Sequence, residues 1–503
     1  MIQSIDFFVI APPLILALVA GLVLLLDAFL PATPRVRTGL GLVTIAGLFG
    51  ALAFVVLQAT QARGAMSTFC VPSVLASPGP EVVQGPALCS FVVDRFTLVF
   101  AGLALAAALV IVLMSMTELA AGGIPVGEWY FLLLCTLVGA VTLPAARDLI
   151  MLVVALELVS LPVFALTGLR RYDGRSSEAA VKLFLVSVVS TAIMLFGVSL
   201  LYGISGTVFL SRLGVILSGQ IAAPGAPGGL PEVVTVGVIL VIAGFAFKIA
   251  AVPFHSWAAD VYQGAPIPIA ALLSVISKAA GFAGLILIMM TALSGQAATW
   301  TPIVAIISAL TMTVGNLLAM RQRSAVRLLA WSSVAQSGYI LAPLAVAQGS
   351  RPVSAAVAYL VIYAAMNLGA FAVVMLVSRT VVRNELDEYR GLVFRSPVAG
   401  LVLAFCLICL AGLPPGLAGL FAKVIVFREV IGGGVGWLAL VMAVNTVIGL
   451  YYYIAWTARL FSPGAATAVA PRAQPATWVA AVGAVAVAIV FSAAPQSVLS
   501  MVG

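Results

Sequence analysis

The sequence predicts an all-α polytopic membrane protein with about fourteen transmembrane helices, and three observations lead to this fold class. Only 8% of the 503 residues are charged, 63% are hydrophobic and the mean hydropathy is +1.23, whereas soluble domains carry about 25% charged residues. The apolar residues are grouped in runs of about 20, the length that an α-helix needs to cross a bilayer. The basic residues fall mainly in alternate connections between these runs.

The apolar runs define the predicted spans. We place them near residues 8–30, 38–59, 92–116, 128–146, 149–169, 178–204, 232–262, 266–292, 299–320, 325–346, 353–378, 396–430, 436–461 and 475–496. The first run has no basic cluster before it, so we interpret it as a span and not as a signal peptide. Two connections are long, an outer loop at 60–90 and a Gly/Pro-rich stretch at 203–231 that we expect to be exposed.

Arginines predict the orientation of the chain in the membrane. The alternate connections that are rich in them contain Arg35, Arg37, Arg170, Arg171, Arg175, Arg321, Arg323, Arg327, Arg379, Arg383, Arg390, Arg395, Arg459 and Arg472. Such connections face the cytoplasm under the positive-inside rule, and an even number of spans then leaves both termini outside. The net charge of +8 is thereby explained by topology, with no need for a nucleic-acid partner.

The cysteines fall into two groups. Cys70 and Cys89 lie in the predicted outer loop, where oxidation is permitted, and we expect a disulfide between them. Cys406 and Cys409 have CxxC spacing inside an apolar span. An iron–sulfur site needs four ligands, so we interpret these two as packing residues.

The segment GFAFKIAAVPFHSWAADVYQGAPIPIAALLSVISK predicts the first candidate site. It places Lys248 and Lys278 in apolar spans, where a lysine costs about 2.5–3.5 kcal/mol and indicates a functional role. Pro253 breaks the helix just after Lys248, and broken helices at membrane depth are tolerated where they line a wet cavity or are buried in protein. The lone His255 beside the break is either a structural hydrogen-bonding residue or a relay group.

A second broken helix carries another lysine. In AGLPPGLAGLFAK, Pro414 and Pro415 interrupt the apolar run and Lys423 follows about two turns later. Interrupted helices in corresponding positions of two halves are typical of the sites of inverted-repeat transporters. Proline and glycine are also common in ordinary membrane helices, so the pairing of each break with a lysine is the informative feature.

Two further ionisable residues lie in predicted spans. Glu157 is the one acid deep in an apolar run, and it is either a proton-exchanging group or a structural ion-pair partner. Lys182 follows Glu178 by one turn, near the predicted cytoplasmic surface, where an (i, i+4) ion pair or a snorkelling side chain is a real alternative to a proton-path role.

The distribution of basic residues separates structure from chemistry. Four of the 24 are lysines, and all four lie in predicted spans, while arginines serve the loops. Arginine stays protonated, whereas a desolvated lysine can release its proton, so the pattern predicts proton transfer. The sequence has no phosphate-binding loop, dinucleotide fingerprint or metal-ligand cluster. The alternative from another class is a membrane scaffold in which buried charges only hold helices together.

Several segments resemble the antiporter-like membrane subunits of respiratory complex I. They are LELVSLPVFALTG, EAAVKLF, KIAAVPFHSWAADVYQGAP, the lysine of SVISK, RLLAWSSVAQSGY and LAGLPPGLAGLFAK. Within that family the chain looks most like subunit N, the counterpart of mitochondrial subunit 2, because Lys423 stands where subunit M has a glutamate. Mrp-type cation/proton antiporters share the fold and the Glu/Lys pattern, and they are the alternative.

The resemblance implies two inverted five-helix repeats, each with a broken helix. Residues 1–116 would form three N-terminal helices with an outer loop, 117–292 and 293–461 the two repeats, and 462–503 a C-terminal helix. It also implies a proton-translocating subunit of an NADH:quinone oxidoreductase, and it puts five residues on the proton path. These are Glu157, Lys182, Lys248, Lys278 and Lys423.

The same resemblance sets the expected surroundings of the chain. FMN, iron–sulfur clusters and the quinone would belong to other subunits, so we expect no cofactor here. The expected partners are other membrane-arm subunits of complex I, including a neighbouring antiporter-like subunit and small subunits, together with protons and lipid, in a bacterial plasma membrane. Related subunits usually have histidine where this chain has Gln336, which cannot relay a proton by titration.

Overall fold

A computed structural model of the protein describes residues 5–61, 64–71, 88–221, 224, 231–346, 351–381, 383–463 and 474–502. Its helices are α1 (Ala11–Phe29), α2 (Pro34–Gln61), α3 (Arg95–Ala120), α4 (Val126–Thr142), α5 (Leu149–Gly168), α6 (Gly174–Ser205), α7 (Leu210–Leu217), α8 (Val233–Lys248), α9 (Ala258–Gly264), α10 (Ile267–Leu272), α11 (Lys278–Leu287), α12 (Ala297–Ala319), α13 (Ala325–Leu341), α14 (Arg351–Ser378), α15 (Leu392–Arg395), α16 (Pro397–Ala411), α17 (Leu417–Gly432), α18 (Gly436–Phe461), α19 (Pro475–Ala493) and α20 (Gln496–Val502).

Short turns complete the secondary structure of these ranges. Single π-helical turns at Leu273–Ser277 and Ile288–Ala292 make α10 and α11 one continuous rod, and 3₁₀ turns occur at Leu143–Ala145, Ser294–Gln296, Ala342–Ala345 and Leu386–Tyr389. Two strands, β1 (Met66–Cys70) and β2 (Cys89–Val93), form an antiparallel hairpin.

The predicted fold class of an all-α polytopic membrane protein is confirmed. Within the described ranges, 11 helices are long and apolar enough to cross a bilayer. The apolar helices α8 and α16 are shorter, because each ends at a predicted break. The total of about fourteen crossings and the inverted repeats remain predictions.

Two helical segments form the centre of the bundle. The rod at Ile267–Ala292 is buried along its whole apolar window, and α14 along 94% of it. A helix that is apolar on every face can be covered by protein neighbours or by lipid, and here protein neighbours cover these two segments. Accordingly, α14 packs against α13, α16, α17 and α19, and α10 packs against α3 and α14. The peripheral α1 and α6 leave most of their apolar side chains for lipid.

The hairpin is an addition to the predicted helical architecture. Its strands pair Thr68 with Phe91 and Cys70 with Cys89, and the two cysteines form a disulfide in the structure. The residues of the outer loop between 72 and 87 lie outside the described ranges. Apolar side chains of β2 alternate between buried and half-buried positions, so the strand forms part of the cap on the helices.

Both ends of the chain lie at the end of the bundle that carries the hairpin. The Asp6 amide donates to the Thr68 hydroxyl (3.0 Å), and Arg95, at the start of α3, donates to the main-chain oxygen of Ser500. The 26 residues of α3 span about 39 Å at 1.5 Å per residue.

The arginine-rich connections meet at the opposite end of α3. Glu118, in the last turn of that helix, pairs with Arg170 from the connection after α5 and with Arg379 from the connection after α14. Asp387 pairs with Arg459 in the last turn of α18 (3.5 Å). The structure therefore separates these connections from the two termini by the length of a membrane span.

One expectation about the loops is wrong. The stretch at 203–231, expected to be an exposed connection, contains the helix α7, whose Leu210, Leu213, Ile216 and Leu217 are buried. Their spacing gives a one-sided apolar stripe, and α7 packs with it against the π-turn Ile288–Ala292. At Gly214 the approach is so close that a Cβ atom would collide with the Thr291 carbonyl oxygen.

Candidate functional site

Lys248 is the last residue of α8 and is buried at 8% exposure. The connection with Pro253 follows, and the helix resumes at Ala258 as α9, so the predicted break is present. The ammonium group lies at the helix C-terminus, where the helix dipole favours a positive charge. Its Nζ donates to the Ser160 hydroxyl at 2.5 Å, and no ion pair is formed among the described residues.

A small cavity extends from Lys248 toward α11. Its volume is ≈ 10 Å³ and its lining includes Ser160, Ser187 and Ser277, which is about the space that one water molecule requires. Ser277 precedes Lys278 in the chain, at the end of the π-turn that starts at Leu273. Such turns inside α-helices are frequent at functional sites. The cavity therefore extends from Lys248 to the residue that precedes Lys278 in the chain, and Lys278 itself does not line it.

Glu157 is positioned on α5, one turn before Ser160. The Thr191 hydroxyl of α6 donates to its Oε1 at 2.6 Å, and among the described residues Glu157 forms no ion pair. Ser160, one turn after Glu157 on the same helix, accepts the hydrogen bond from Lys248 Nζ. The structure thus places Glu157 and the hydrogen-bond partner of Lys248 one turn apart on α5.

Lys278 is the most deeply buried of the lysines, at 1% exposure. Its Nζ donates at 2.5 Å both to the Ser333 hydroxyl and to the Ser333 carbonyl oxygen on α13, and it lies 6.0 Å from the centre of the Tyr363 ring. No described residue lies in hydrogen-bonding geometry with the buried Tyr363 hydroxyl. Buried polar groups of this kind are normally satisfied by water, so the surroundings of Lys278 suit a hydrated site.

The second break explains how Lys423 is held. Helix α16 ends at Ala411, Gly412 adopts a left-handed φ of +83°, and α17 begins at Leu417 after Pro414 and Pro415. The last carbonyl groups of a helix have no partner within it. Those of Ala411 (2.7 Å) and Leu410 (3.4 Å) accept hydrogen bonds from Lys423 Nζ. The break therefore supplies the groups that bind the lysine.

Lys182 differs from the other three lysines. Its side chain is 43% exposed and pairs with Glu178 at 2.7 Å and with Asp260 at 3.1 Å, and Asp260 also pairs with Arg327 at 2.9 Å. This network joins α6, α9 and α13 at the surface of the bundle. The ion-paired alternative for this residue is the one that the structure supports.

His255 lies in the connection between α8 and α9. Its ring packs 5.6 Å from the ring of Trp331 on α13, and its Nδ1 is buried without a hydrogen-bond partner among the described residues. The proton-relay role of His255 stays a prediction, since its described contacts join it to none of the lysines.

A much larger groove lies away from these residues. It encloses ≈ 1160 Å³ between α2, α3, α14 and α19, and its lining is almost wholly apolar. None of the four lysines lines it. Size alone therefore does not identify the candidate site, which is defined by the buried charges. In the described ranges no cluster of His, Cys, Asp and Glu could hold a metal ion.

Comparison with known proteins places this geometry in a family. Residues 146–449 match the family model described as NADH:quinone oxidoreductase/Mrp antiporter, TM. The chain is 48% identical to NADH-quinone oxidoreductase subunit N 2 of Streptomyces griseus, over 99% of this chain and 93% of that protein. It is 43% identical to NADH-quinone oxidoreductase subunit N of Salinispora tropica, over 92% of this chain and 86% of the relative.

The chain belongs to the NADH-quinone oxidoreductase subunit N family. A chain of the structure of respiratory complex I from Thermus thermophilus with bound aureothin agrees with it at a TM-score of 0.76 and 29% identity, covering 98% of this chain and 100% of that one. The predicted membership of complex I is confirmed, in preference to the Mrp alternative. A chain of the Mrp complex from Dietzia (TM-score 0.78, 20% identity, 97% and 95% covered) shares the fold alone.

The present chain also contains a polar network that was not predicted from its sequence. Between Lys278 and Lys423, the Gln336 amide lies between two tyrosine hydroxyls: Tyr359 donates to its Oε1 (2.6 Å), and its Nε2 donates to Tyr453 (3.2 Å). All of these side chains are buried. Tyrosine in an apolar helix is ordinarily a packing residue, so sequence alone gave no signal that these hydroxyls would meet.

A second residue missed by sequence reasoning is Glu118. It is 4% exposed and pairs with Arg170 and Arg379, which belong to connections far apart in the chain. A buried carboxylate with two guanidinium partners is the arrangement expected of a structural charge. In the present chain Glu118 joins the end of α3 to the connections that follow α5 and α14.

Proposed function

We propose that this chain translocates protons as a membrane subunit of an NADH-quinone oxidoreductase, through a row formed by Glu157, Lys248, Lys278 and Lys423. One observation carries this proposal. The three lysines of the row are buried, and their described hydrogen-bond partners are neutral hydroxyl and carbonyl groups. No carboxylate forms an ion pair with any of them among the described residues.

This arrangement favours chemistry over scaffolding. A charge that only holds helices together is stable in the interior when an opposite charge compensates it, as Glu118 is compensated by two arginines. A buried lysine whose partners are all neutral gains much less electrostatic stabilisation from its surroundings. It can also lose its proton without leaving an unpaired carboxylate behind. The row is therefore suited to groups that change protonation during turnover.

The geometry supports an order of transfer along the row. Glu157 lies one turn from Ser160, the hydrogen-bond partner of Lys248, and a change in the charge of a nearby carboxylate would alter the proton affinity of the lysine. A water in the cavity beside Ser277 would connect Lys248 with the neighbourhood of Lys278. From there Ser333 leads into the polar side chains of α13 and on toward Lys423.

The chain's surroundings follow from the same proposal. Other membrane subunits of complex I would flank it in a bacterial plasma membrane, with lipid on the exposed apolar helices. FMN, iron–sulfur clusters and quinone would be bound elsewhere in the complex, so the row would respond to electron transfer at a distance. The neighbouring subunits would include an antiporter-like one and small ones.

The orientation in the membrane is part of the proposal. The arginine-rich connections, which meet at one end of the bundle, would face the cytoplasm under the positive-inside rule. Both termini and the hairpin with Cys70 and Cys89 lie at the other end and would then face the outside. A disulfide is compatible with that oxidising compartment.

The decisive experiment is Lys278→Arg in the assembled complex. Arginine keeps the positive charge but does not release a proton at accessible pH, so the variant separates charge from proton exchange. We expect quinone reduction in uncoupled membranes to continue while protons translocated per NADH fall. Proton translocation at the wild-type ratio would overturn the proposed function.

Lys278→Met is the companion variant for this test. It removes the charge altogether, and equal losses in the Arg and Met variants would indicate that proton exchange, not charge, is required. The amount of this subunit that co-purifies with the complex controls for assembly in both cases. A loss of translocation accompanied by loss of the subunit would contradict the proposal, because it would show that the Lys278 charge is needed for assembly, as the scaffold alternative requires.

A further inference from the structure

The hydrogen bonds around Gln336 have an unusual symmetry. Its amide offers one acceptor, Oε1, to the Tyr359 hydroxyl and one donor, Nε2, to the Tyr453 hydroxyl. A hydroxyl group can either donate or accept. If the amide made a half-turn, Nε2 would donate to Tyr359 and Oε1 would accept from Tyr453, and both hydrogen bonds would be kept with reversed direction.

These two hydroxyls lie between the lysines of the second half of the row. Tyr453 also bonds to the Ser332 hydroxyl, and Ser332 is next to Ser333, which binds Lys278. On the other side, the Tyr359 ring is stacked parallel to the Tyr339 ring at 6.2 Å, and Lys423 Nζ lies 5.6 Å from the centre of Tyr339. Gln336 is therefore the midpoint of a row of buried polar side chains, in which hydrogen bonds join Ser332, Tyr453, Gln336 and Tyr359 and ring contacts lead on to Lys423.

A chain of hydroxyl groups that carries a proton must afterwards be reset. Each oxygen accepts a proton on a lone pair and releases its own hydroxyl proton to the next acceptor, so only O–H and N–H bonds form and break. One proton leaves the Lys278 ammonium group and one arrives at the neutral Lys423 amine. Every hydroxyl then points the opposite way, and the next proton can follow only after the hydroxyls have turned back.

We propose that Gln336 sets the direction of this hydroxyl chain by orienting Tyr359 and Tyr453 together, and that a half-turn of its amide reverses both. The amide itself does not ionise, so the proposal requires a water molecule that enters beside it and bridges the two hydroxyls. Gln336 is in this sense a positioning residue. The inference rests on the proposed function, since it assumes that protons move between Lys278 and Lys423.

Three substitutions in the assembled complex test the proposal. Tyr359→Phe and Tyr453→Phe delete one hydroxyl each and keep the buried ring, and Gln336→Met keeps the approximate volume without donor or acceptor. We expect each to remain in the complex, to support quinone reduction in uncoupled membranes and to translocate fewer protons per NADH in closed vesicles. Wild-type translocation by Gln336→Met and Tyr359→Phe would overturn it.

The matched control is Tyr389→Phe. Tyr389 is as deeply buried as Tyr453, but its hydroxyl donates to Asn384 (2.9 Å) in the connection between α14 and α15. We expect this variant to translocate protons at the wild-type ratio. A loss equal to that of Tyr453→Phe would mean that any buried hydroxyl here is needed for packing, which would contradict the proposal.

Gln336→His tests whether the side chain at this position acts by orienting the two hydroxyls or only by filling space. A neutral imidazole also offers one donor and one acceptor, so this variant should translocate protons where Gln336→Met does not. Equal losses of proton translocation in the His and Met variants would contradict the proposed role of the donor–acceptor pair. If Lys278→Arg fails while the Gln336 and tyrosine variants translocate normally, only this inference is wrong; if Lys278→Arg translocates normally, the proposed function is wrong.

Discussion

Replacing Lys248 with methionine should remove proton transfer while leaving the protein as stable or more stable. A lysine in the middle of a span costs about 2.5–3.5 kcal/mol, and the substitution relieves that cost. The lost hydrogen bond from Nζ to Ser160, at 2.5 Å, offsets roughly 1.5–3 kcal/mol of the gain. The Ser160 hydroxyl keeps its hydrogen bond to the Leu156 carbonyl (2.7 Å), so no buried donor is left unpaired.

The net expectation is a change of about −0.5 to +2 kcal/mol in the free energy of unfolding, the difference between these two estimates, so the stability should stay level or rise. Methionine is flexible enough to fill the space of the lysine stem. The measurement is the temperature at which the subunit dissociates or aggregates in the purified complex, compared with proton translocation per NADH in closed vesicles.

Two results would refute the reasoning. A dissociation temperature well below that of the wild type would mean that the Lys248 charge holds the bundle together, as the scaffold alternative requires. Proton translocation at the wild-type ratio would mean that the row does not pass through Lys248. The expected combination, lost translocation with undiminished stability, is the one that a purely structural charge cannot produce.

Two other variants should both lose stability, unlike the Lys248 variant. Glu118→Gln removes the charge that binds Arg170 and Arg379, so the purified complex should lose roughly 2–4 kcal/mol of stability and dissociate at a lower temperature. At low temperature it should translocate protons at the wild-type ratio, and reduced translocation there would mean that Glu118 belongs to the proton path. Gly412→Ala places a side chain at φ +83° and a Cβ 3.4 Å from Lys423 Nζ. It should therefore lower the stability by about 1–2 kcal/mol and also reduce proton translocation, whereas a variant unchanged in both would show that the break adjusts without strain.

The breaks were predictable because their causes are local. A proline removes a backbone donor within the helix that contains it, so Pro253, Pro414 and Pro415 could be assigned without knowledge of any neighbour. The coupling between a break and its lysine was visible as spacing along the chain. That the freed carbonyl groups of α16 would themselves bind Lys423 needed the fold, because the lysine reaches them from another helix.

The hairpin and α7 show where local patterns were insufficient. β1 and β2 are short strands whose pairing joins residues on both sides of a long loop, and α7 is a short helix whose apolar stripe is stable only against the π-turn Ile288–Ala292. Isolated helices of this length are marginal. Such elements depend on tertiary contacts for their existence.

The sequence by itself determined the membrane class, the positions of most spans, the breaks and the confinement of lysine to apolar segments, because hydropathy and proline act within a single helix. Tertiary structure decided which charges are paired. Lys182 meets Asp260 across 78 residues, Glu118 meets Arg379 across 261, and Gln336 joins tyrosines from α14 and α18. Electrostatic compensation depends on distances of a few ångströms between helices, and no periodicity along one helix encodes them.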